Sequence, residues 1–359
     1  MKHLIWVSLA VWLWQVAPAF ADEPVITVTV STVEQAPGFI FAGPGGIATG
    51  TAHNWLLIMD GAGKPVFSRE LQGRPDDFKQ QGEVLSYFNP PLDRFDVLDR
   101  DYQLVDSWAA VGYPTDNHDL QLLDNGGALL LVYREFTYDL TPYGGVPTAT
   151  VFSCIVQELN PDKSLAWEWD GWDHNPISDT VVSLAASRVD YDHCNAVEQD
   201  SDGNILVSSR MLNQVTKINR QTGDVIWKLG GKANQFTFTN DPGFSQQHDI
   251  RRLPNNHITL FDDGVPSRGY SRALEYEIDE ASKVITRTWE FRGPFTGCCG
   301  SVQRLDNDNT FINWGRGHPT ISEVTPAGVV VFEADLIFSY RAFKFPWWQG
   351  VWLPMIFRE

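Results

Sequence analysis

The chain alternates apolar and polar stretches in a short unit that recurs six times. Each copy consists of an apolar strand, a turn that opens with Asp, Asn or Thr, and a second strand that usually ends in an aromatic residue. The copies read LIMDGAGKPVF, DVLDRDYQLVDSW, QELNPDKSLAW, TKINRQTGDVIW, YEIDEASKVITRTW and SEVTPAGVVVF, with turns that open at Asp60, Asp99, Asn160, Asn219, Asp279 and Thr325. Repetition of one strand–turn–strand unit at this spacing predicts six related sheets.

A second unit precedes the first in four of the copies. It reads HDLQLLDNGGALLLVYR from His118, HCNAVEQDSDGNILVSSR from His193, HDIRRLPNNHITLFDDG from His248 and GSVQRLDNDNTFINWGR from Gly300. Each copy predicts a hairpin, because a turn rich in Asp, Asn and Gly separates two strands. Two hairpins in succession give four antiparallel strands. No segment shows the periodicity of a long amphipathic helix, so we predict an all-β fold, a six-bladed β-propeller with four-stranded antiparallel blades.

We expect residues 22–359 to form a single β-propeller domain, because neither a Pro- or Ser-rich linker nor a change of composition interrupts them. Ring closure has two candidates. Either the β-rich stretch Val25–Val30 or the late segment Phe338–Phe345 completes a terminal blade. The run Phe345–Phe357 carries three tryptophans, which suits a membrane interface or, more commonly, packing across the base of the propeller.

Residues 1–21 predict an export signal peptide. A positively charged start precedes the apolar run Leu4–Trp14, and residues 19–21 form a small-x-small cleavage pattern. No other stretch approaches the ~20 apolar residues of a membrane helix. We therefore expect a protein without a stable membrane span that is exported to the periplasm or secreted. Export permits disulfides between Cys154 and Cys194 and between the adjacent Cys298 and Cys299, but spacing alone does not decide the connectivity.

The charge balance excludes one class of partner. Lys and Arg total 27 against 45 Asp and Glu, which gives a net charge of −18. Such a chain repels the phosphate backbone of nucleic acids. An anionic small molecule would need a local cationic pocket.

Three histidines stand at the same position of the second unit, its first residue: His118, His193 and His248. If that strand is the innermost of its blade, the opening residues of equivalent blades converge at one mouth of the central channel. The return strand of each hairpin then brings an arginine to the same rim, at Arg134, Arg210 and Arg316. The alternative is that these histidines only link neighbouring blades, but that role would not require arginines beside them. The remaining histidines are expected at the surface or in turns, at His53, His174, His257 and His318.

Imidazoles serve as nucleophiles, general bases or metal ligands. Three histidines with one open position suit zinc or copper. Arginines beside them oppose a metal ion and attract an oxyanion instead. We therefore expect no metal and no cofactor, and an anion-transfer site in which a neutral imidazole attacks the sulfur or phosphorus of an ester while cations stabilise the charge on its oxygens.

At these residues the sequence resembles the arylsulfate sulfotransferase family, exported six-bladed propellers that move a sulfuryl group from an aryl sulfate to a phenol without a nucleotide donor. The similarity is densest from His118 to Arg316. Its most specific parts are His193-Cys194-Asn195 followed by DGNILVSSR, then TGDVIWKLGG, then QQHDIRRL and LFDDG.

The resemblance implies roles for individual residues. By this similarity His248 would be the nucleophile that becomes transiently sulfated, in ping-pong kinetics. The groups that bind and polarise the sulfuryl oxygens would be His118, His193, Asn195 and Arg210. Arg134 and Arg316 occupy the rim without a family role and are further candidates for substrate binding. The implied partners are small molecules, an aryl sulfate and a phenol.

Two other functions fit parts of the sequence. TGDVIW, Thr222 to Trp227, resembles the tryptophan-docking repeat of quinone-dependent dehydrogenases, although it occurs once where those propellers repeat it. Alternatively, a secreted propeller with 14 tryptophans can be a non-catalytic binding module for carbohydrate or protein.

Overall fold

The computed structural model describes residues 24–46 and 53–347. The predicted export signal and the part of the tryptophan-rich run after Trp347 lie outside these residues. Within the described chain there is no helix of the length and apolarity that a membrane crossing demands.

The described residues contain 27 strands. The first fourteen are β1 (Thr27–Ser31), β2 (Phe39–Ala42), β3 (Asn54–Met59), β4 (Pro65–Leu71), β5 (Lys79–Gln81), β6 (Val84–Asn89), β7 (Arg94–Leu98), β8 (Leu104–Trp108), β9 (Thr115–Leu122), β10 (Ala128–Tyr138), β11 (Ala149–Leu159), β12 (Leu165–Asp170), β13 (Arg188–Asp190) and β14 (Cys194–Gln199). The remaining strands are β15 (Ile205–Ser209), β16 (Gln214–Ile218), β17 (Val225–Gly230), β18 (Thr237–Thr239), β19 (His248–Arg252), β20 (Ile258–Asp262), β21 (Tyr270–Asp279), β22 (Val284–Pro294), β23 (Ser301–Arg304), β24 (Thr310–Asn313), β25 (Ile321–Val324), β26 (Val330–Asp335) and β27 (Ala342–Phe345). Short 3-10 turns occur at Pro90–Leu92, Thr141–Tyr143, Gly171–Asp173, Ile177–Asp179, Arg210–Leu212 and Pro266–Arg268.

The strands form six sheets, so the predicted all-β, six-bladed propeller is confirmed. From the channel outwards, blade I contains β27, β2, β3 and β4, and blade II contains β5 to β8. Blade III contains β9 to β12 and blade IV contains β14 to β17. Blade V contains β19 to β22 and blade VI contains β23 to β26. Two short strands, β13 and β18, pair in parallel with β11 and β22.

Both proposed closing segments take part in closing the ring. From the N-terminal side, β1 pairs with β26 and becomes the outermost strand of blade VI. From the C-terminal side, β27 pairs with β2 and becomes the innermost strand of blade I. The sequence analysis treated these as alternatives, whereas the structure uses the two together at different blades.

The six turns of the first repeat unit join the third and fourth strands of the six blades. Their opening residues act through their side chains. Asp60 Oδ1 accepts the backbone N–H groups of Ala62 and Lys64, each at 2.9 Å, and Asp99 forms the same pair of bonds with its own turn. A short acidic or amide side chain thus holds the turn locally, which explains why Asp and Asn recur there.

The hydrophobic core is divided among the interfaces between adjacent blades. Between blades IV and V, for example, Leu206 and Val215 pack against Leu260 and Leu274, all fully buried. Comparable clusters fill the other five interfaces. Because the second strand of a blade is covered on both faces, it reads as a nearly continuous apolar run, as in β10, β15 and β20.

Candidate active site

The six innermost strands run in the same direction along the channel. Their later residues line one common cavity, and their opening residues meet at the other mouth. The residues at this mouth, in order from blade I, are Tyr340, Asp76, His118, His193, His248 and Gly300. The structure thus brings the three histidines together and adds an aromatic and an acidic residue from blades I and II. The expectation of one shared repeat position is wrong for His193, because in the strand register of blade IV it is Asn195 that corresponds to His118 and His248, and His193 lies two residues before it.

The imidazoles of His118 and His193 lie with ring centroids 5.0 Å apart. The Tyr340 ring stands 5.4 Å from the His118 ring and 6.2 Å from the His248 ring. All three contacts are between groups from different blades. A small guest at this mouth would therefore meet imidazoles from three sides.

Each of the three imidazoles has a carboxylate at Nδ1. Asp116 Oδ1 lies 2.7 Å from Nδ1 of His118, and Asp190 Oδ2 lies 2.5 Å from Nδ1 of His193. Asp263 Oδ2 lies 2.7 Å from Nδ1 of His248. A carboxylate at Nδ1 favours the tautomer that carries its proton there, which leaves Nε2 as a free acceptor. The ring orientation that nucleophilic or base chemistry needs is thus fixed three times over.

The surroundings shift the pKa values of the three histidines in different directions. Burial opposes the charged form of His118, but Asp116 and Asp76 outweigh it and raise its pKa. Burial lowers the pKa of His193, with His118 and Arg210 acting in the same direction against Asp190. Burial, together with Arg210 and the other two imidazoles, lowers the pKa of His248 well below its ordinary value. His118 therefore favours the cation, and His248 is held neutral.

Arg210 is the cation nearest to this group. Its Nε lies 4.0 Å from Asp263 Oδ2, and its Nη2 donates to Gln246 Oε1 and to the Gly297 carbonyl oxygen, both at 2.8 Å. Its backbone N–H donates to the carbonyl of His193 at 2.9 Å, as the hairpin geometry predicts. The guanidinium is thus anchored on one side and lies close enough to His248 to disfavour a second positive charge.

Asn195 is fully buried beside the His248 segment. Its Nδ2 donates to the carbonyl of Gln247 at 2.7 Å, immediately before His248. Its Oδ1 has no hydrogen-bond partner in the described structure. The amide therefore fixes the backbone that carries His248.

The structure separates Arg134 and Arg316 from the imidazoles in different ways. Arg134 pairs with Asp170 and lies over the Phe136 ring, while the ring beside His118 is that of Tyr133, at 6.0 Å. Neighbouring residues of a strand point to opposite faces, so Arg134 and Tyr133 cannot share one side of β10. Arg316 is an exposed side chain in the turn after β24.

A charged layer closes the channel below the imidazoles. Arg341 is fully buried, and its Nη1 lies 2.8 Å from Asp77 and 3.2 Å from Asp119. Lys79 Nζ bridges the same two carboxylates at 2.6 Å each. The layer is completed by Asp249 and Arg251, paired at 2.9 Å. We call these six residues the channel floor: Asp77, Lys79, Asp119, Asp249, Arg251 and Arg341.

On the far side of the channel floor lies a cavity of about 530 Å³. Its wall is formed by the later residues of the inner strands, including Leu122, Glu198, Gln303 and Phe343. The polar groups at this end mostly join one blade to the next. Gln303, for example, both accepts from the backbone N–H of Lys344 and donates to its carbonyl oxygen. This cavity and the imidazole cluster are therefore at opposite ends of the channel.

The other described histidines lie away from the cluster. Each has a local contact: His53 with Glu70, His174 with the Trp169 ring, His257 with Glu275 and His318 with Asp335. Trp227 of the TGDVIW segment is fully buried in the core, and its Nε1 donates to Glu280 at 2.8 Å. That tryptophan packs between blades and presents no surface to a cofactor.

The cysteines take two states. Cys154 and Cys194 form a disulfide that joins β11 to β14, with Cα atoms 5.7 Å apart. Cys298 and Cys299 are free thiols. Of the two pairings that export permits, the structure contains the first.

Several residues of the site escaped the sequence analysis. Asp116 and Asp190 stand two and three positions before their histidines, so Asp–x–His and Asp–x–x–His spacings were available as signals. Asp263 lies in the LFDDG segment that closes the His248 hairpin, and the hairpin register pointed to it. Tyr340 had no such signal, because its blade combines both ends of the described chain and carries no second repeat unit.

Comparisons with known proteins give a family and a fold. Residues 96–337 match the arylsulfotransferase (ASST) family. No curated protein matches the chain. Among solved structures, a Bacteroides caccae protein of unknown function is similar with a TM-score of 0.52 at 12% identity, over 86% of this chain and 99% of that one. Virginiamycin B lyase from Staphylococcus aureus has a TM-score of 0.47 at 10% identity, over 88% and 89% of the two chains. At these identities the first structure supports the fold alone, and the second supports no further inference.

Proposed function

Because this chain belongs to the arylsulfotransferase family, we propose that it is an exported enzyme that moves a sulfuryl group from an aryl sulfate to a phenol through a sulfated His248. The family match supports a sulfotransferase activity. The finer assignment rests chiefly on one observation, the three carboxylate-anchored imidazoles that surround a single channel mouth beside Arg210.

The donor binds by its sulfate group. Arg210 and the cationic form of His118 supply the positive charge that an otherwise strongly acidic chain must concentrate locally. Guanidinium and imidazolium N–H groups also match the oxygens of a sulfate in geometry. These contacts strengthen as negative charge builds up on the sulfuryl oxygens in the transition state.

In the first half-reaction Nε2 of His248 attacks the sulfur, and the S–O bond to the aryl group breaks, releasing a phenolate. A neutral imidazole is required, and the lowered pKa of His248 keeps it neutral. Positive charge then develops on the ring. Burial raises the pKa of Asp263 well above its ordinary value, against Arg210, which lowers it. The positive charge that develops on the ring favours the carboxylate form of Asp263, which accepts from Nδ1 at 2.7 Å and stabilises that charge.

In the second half-reaction a phenol enters, loses its proton and attacks the same sulfur, and the N–S bond to His248 breaks. His193 is the best placed base, because burial lowers its pKa and Asp190 orients it. The enzyme returns to its starting form, so the two substrates bind in turn and kinetics are ping-pong.

The decisive experiment compares His248→Asn with His257→Asn. Purified protein is incubated with a chromogenic aryl sulfate, with and without phenol. Wild type should release the chromophore in a phenol-dependent way, and His248→Asn should lose about 10⁴-fold or more of that rate. His257 also pairs with a carboxylate but lies outside the cluster, so His257→Asn should retain the rate.

Two results would count against the proposal. Retained turnover in His248→Asn would remove the nucleophile assignment and leave the family-level activity. Absence of phenol-dependent turnover in wild type across a panel of aryl sulfates would remove the sulfotransferase proposal itself. A sulfuryl adduct on His248, trapped by rapid quenching with donor alone, would support both.

A further inference from the structure

Two adjacent thiols stand at the mouth of the site and take no part in the mechanism above. Cys298 and Cys299 follow Gly297, whose carbonyl oxygen accepts from Nη2 of Arg210 at 2.8 Å. Cys299 packs with Phe338 and Tyr340 in a small apolar cluster. The pair therefore sits between the arginine and the tyrosine that line the anion site.

The segment around the two cysteines is tightly held on both sides. Thr296 Oγ1 donates to the Cys298 carbonyl at 2.7 Å, and the Gly300 backbone N–H donates to the carbonyl of Tyr340 at 3.0 Å. Cys299 itself has a φ of 71°, in the left-handed region that few non-glycine residues adopt. Any change in the backbone here is transmitted to Arg210 and Tyr340.

The charges around Cys298 favour its thiolate. The pKa of Cys298 is lowered to about 7, chiefly by a hydrogen bond from Cys299; burial opposes the shift, and Arg316, Arg210 and Arg74 contribute to it. The same hydrogen bond, with burial, raises the pKa of Cys299. One thiol is thus prepared to react as a nucleophile, and its neighbour retains its proton. The exposed Arg316, which the sulfuryl-transfer mechanism leaves unused, has a function in this arrangement.

We propose that Cys298 and Cys299 form an oxidation site that switches the neighbouring anion site off. A hydroperoxide is the oxidant. The Cys298 thiolate attacks the terminal peroxide oxygen and the O–O bond breaks, which forms a sulfenic acid and releases hydroxide from hydrogen peroxide or an alkoxide from an organic hydroperoxide. The Cys299 thiol then attacks that sulfur, a disulfide forms, and the hydroxyl leaves with the thiol proton as water.

A disulfide between adjacent residues must reshape the segment. Neighbouring Cα atoms are about 3.8 Å apart, below the roughly 4.4–6.8 Å that disulfides normally span. The backbone from Gly297 to Gly300 has to adjust, and the Gly297 carbonyl is the group that holds Arg210. Such a strained bond is also readily reduced, so the change is reversible.

The oxidation of Cys298 and Cys299 does not depend on the proposed function. Only the effect of that oxidation on turnover rests on the proposed function. The test begins with the full chain, reduced under conditions that leave the Cys154–Cys194 disulfide intact. Hydrogen peroxide is added, and the thiols are mapped by alkylation and mass spectrometry. Wild type should lose both thiols with the loss of two hydrogen atoms, and Cys299→Ser should stop at a sulfenic acid on Cys298 that dimedone traps.

The second measurement is the turnover of an aryl sulfate before and after oxidation. Oxidation should lower turnover of wild type by about 10- to 100-fold, the loss expected when a binding group moves by about 1 Å, and reductant should restore it. In Cys298→Ser the ratio of activities before and after peroxide should stay near one. Arg316→Gln is the matched control for the charge argument, and it should slow alkylation of Cys298 without removing the thiol.

Two outcomes would overturn the inference. One is that both thiols remain alkylatable after peroxide treatment of the folded protein. The other is that the disulfide forms and leaves turnover unchanged. If the reduced protein transfers no sulfuryl group at all, the proposed function fails instead. Calorimetric titration with inorganic sulfate then replaces turnover, and equal affinity before and after oxidation would overturn the inference.

Discussion

At one end of the channel three imidazoles and Arg210 converge, and at the other a cavity of about 530 Å³ is lined by the same six inner strands. The difference lies in what the polar groups are bound to. Gln303, at the cavity, is bonded to the next blade through both of its amide atoms. The imidazoles use only Nδ1 for such contacts, which leaves Nε2 for a guest. The imidazole end is therefore distinguished by ring nitrogens that are left for hydrogen bonds to a guest, and not by the volume of a cavity.

The channel floor separates these two ends. Its three carboxylates and three cations neutralise one another across neighbouring blades. Charge at the imidazole end is set mainly by the histidines, Arg210 and the carboxylates beside them, Asp116, Asp76 and Asp190. The cavity end instead contains a partly buried carboxyl, that of Glu198. Three changes would test this division.

The largest effect is expected from Asp263→Asn. An amide at this position cannot stabilise the cation on His248 and favours the wrong tautomer, so sulfuryl transfer should fall by about 10³- to 10⁴-fold. The assay is phenol-dependent turnover of an aryl sulfate. Asp335 makes the same kind of pair with the exposed His318, and Asp335→Asn should leave turnover unchanged. Equal losses in the two variants would show that a carboxylate beside a histidine has no special role at the imidazole end.

The next largest effect is expected from Arg341→Met in the channel floor. Arg341 contacts all three floor carboxylates, Asp77, Asp119 and Asp249. Its removal leaves three buried carboxylates with only two cations, Lys79 and Arg251. The free energy of unfolding should fall by about 3–5 kcal/mol, as measured by urea denaturation. Arg100→Met, which removes a surface pair with Glu83, should cost less than about 1 kcal/mol. A similar small loss for Arg341→Met would mean that the floor does not stabilise the ring.

The smallest expected effect is on the pH dependence of the free energy of unfolding. His248 at the imidazole end and Glu198 at the cavity end change it in opposite directions. The pKa of His248 is lowered by burial, so the unfolded chain binds a proton first and stability is lost as the pH falls below about 6.5. Burial raises the pKa of Glu198 to about 7 from an ordinary 4.5, so its contribution is full below pH 4.5 and is lost as the pH rises towards 7. Each group changes the slope of the free energy of unfolding against pH by up to about 1.4 kcal/mol per pH unit.

Two variants separate these contributions in urea denaturation at a series of pH values. His248→Asn should remove part of the loss of stability on the acidic side. Glu198→Gln keeps an acceptor for the Arg252 backbone N–H and should be more stable than wild type at pH 8 relative to pH 5. Parallel curves for wild type and either variant would contradict the pKa shift of the corresponding group.

Much of the fold could be predicted because its information is local. Asp60 and Asp99 hold their own turns within four residues, so the hairpins could be identified from the chain itself. The meeting of His118 and His248 followed from equal positions in equivalent repeats, whereas His193 reaches them from two residues before the equivalent position, which Asn195 occupies. Closure of the ring could not be predicted in this way. The repeat gave no reason to use β1 and β27 together, because each forms a strand only when a distant blade accepts it.

The sequence alone therefore determined the blades and predicted the convergence of the imidazoles, since these follow from local hydrogen bonding and from repetition. Tertiary structure decided how the three histidines differ, because a pKa sums burial and charge from several blades at once. It also decided that Arg134 turns to Asp170, that Tyr340 stands between His118 and His248, and that Cys298 lies among arginines. Those relations depend on distances between segments far apart in the chain, which no local pattern encodes.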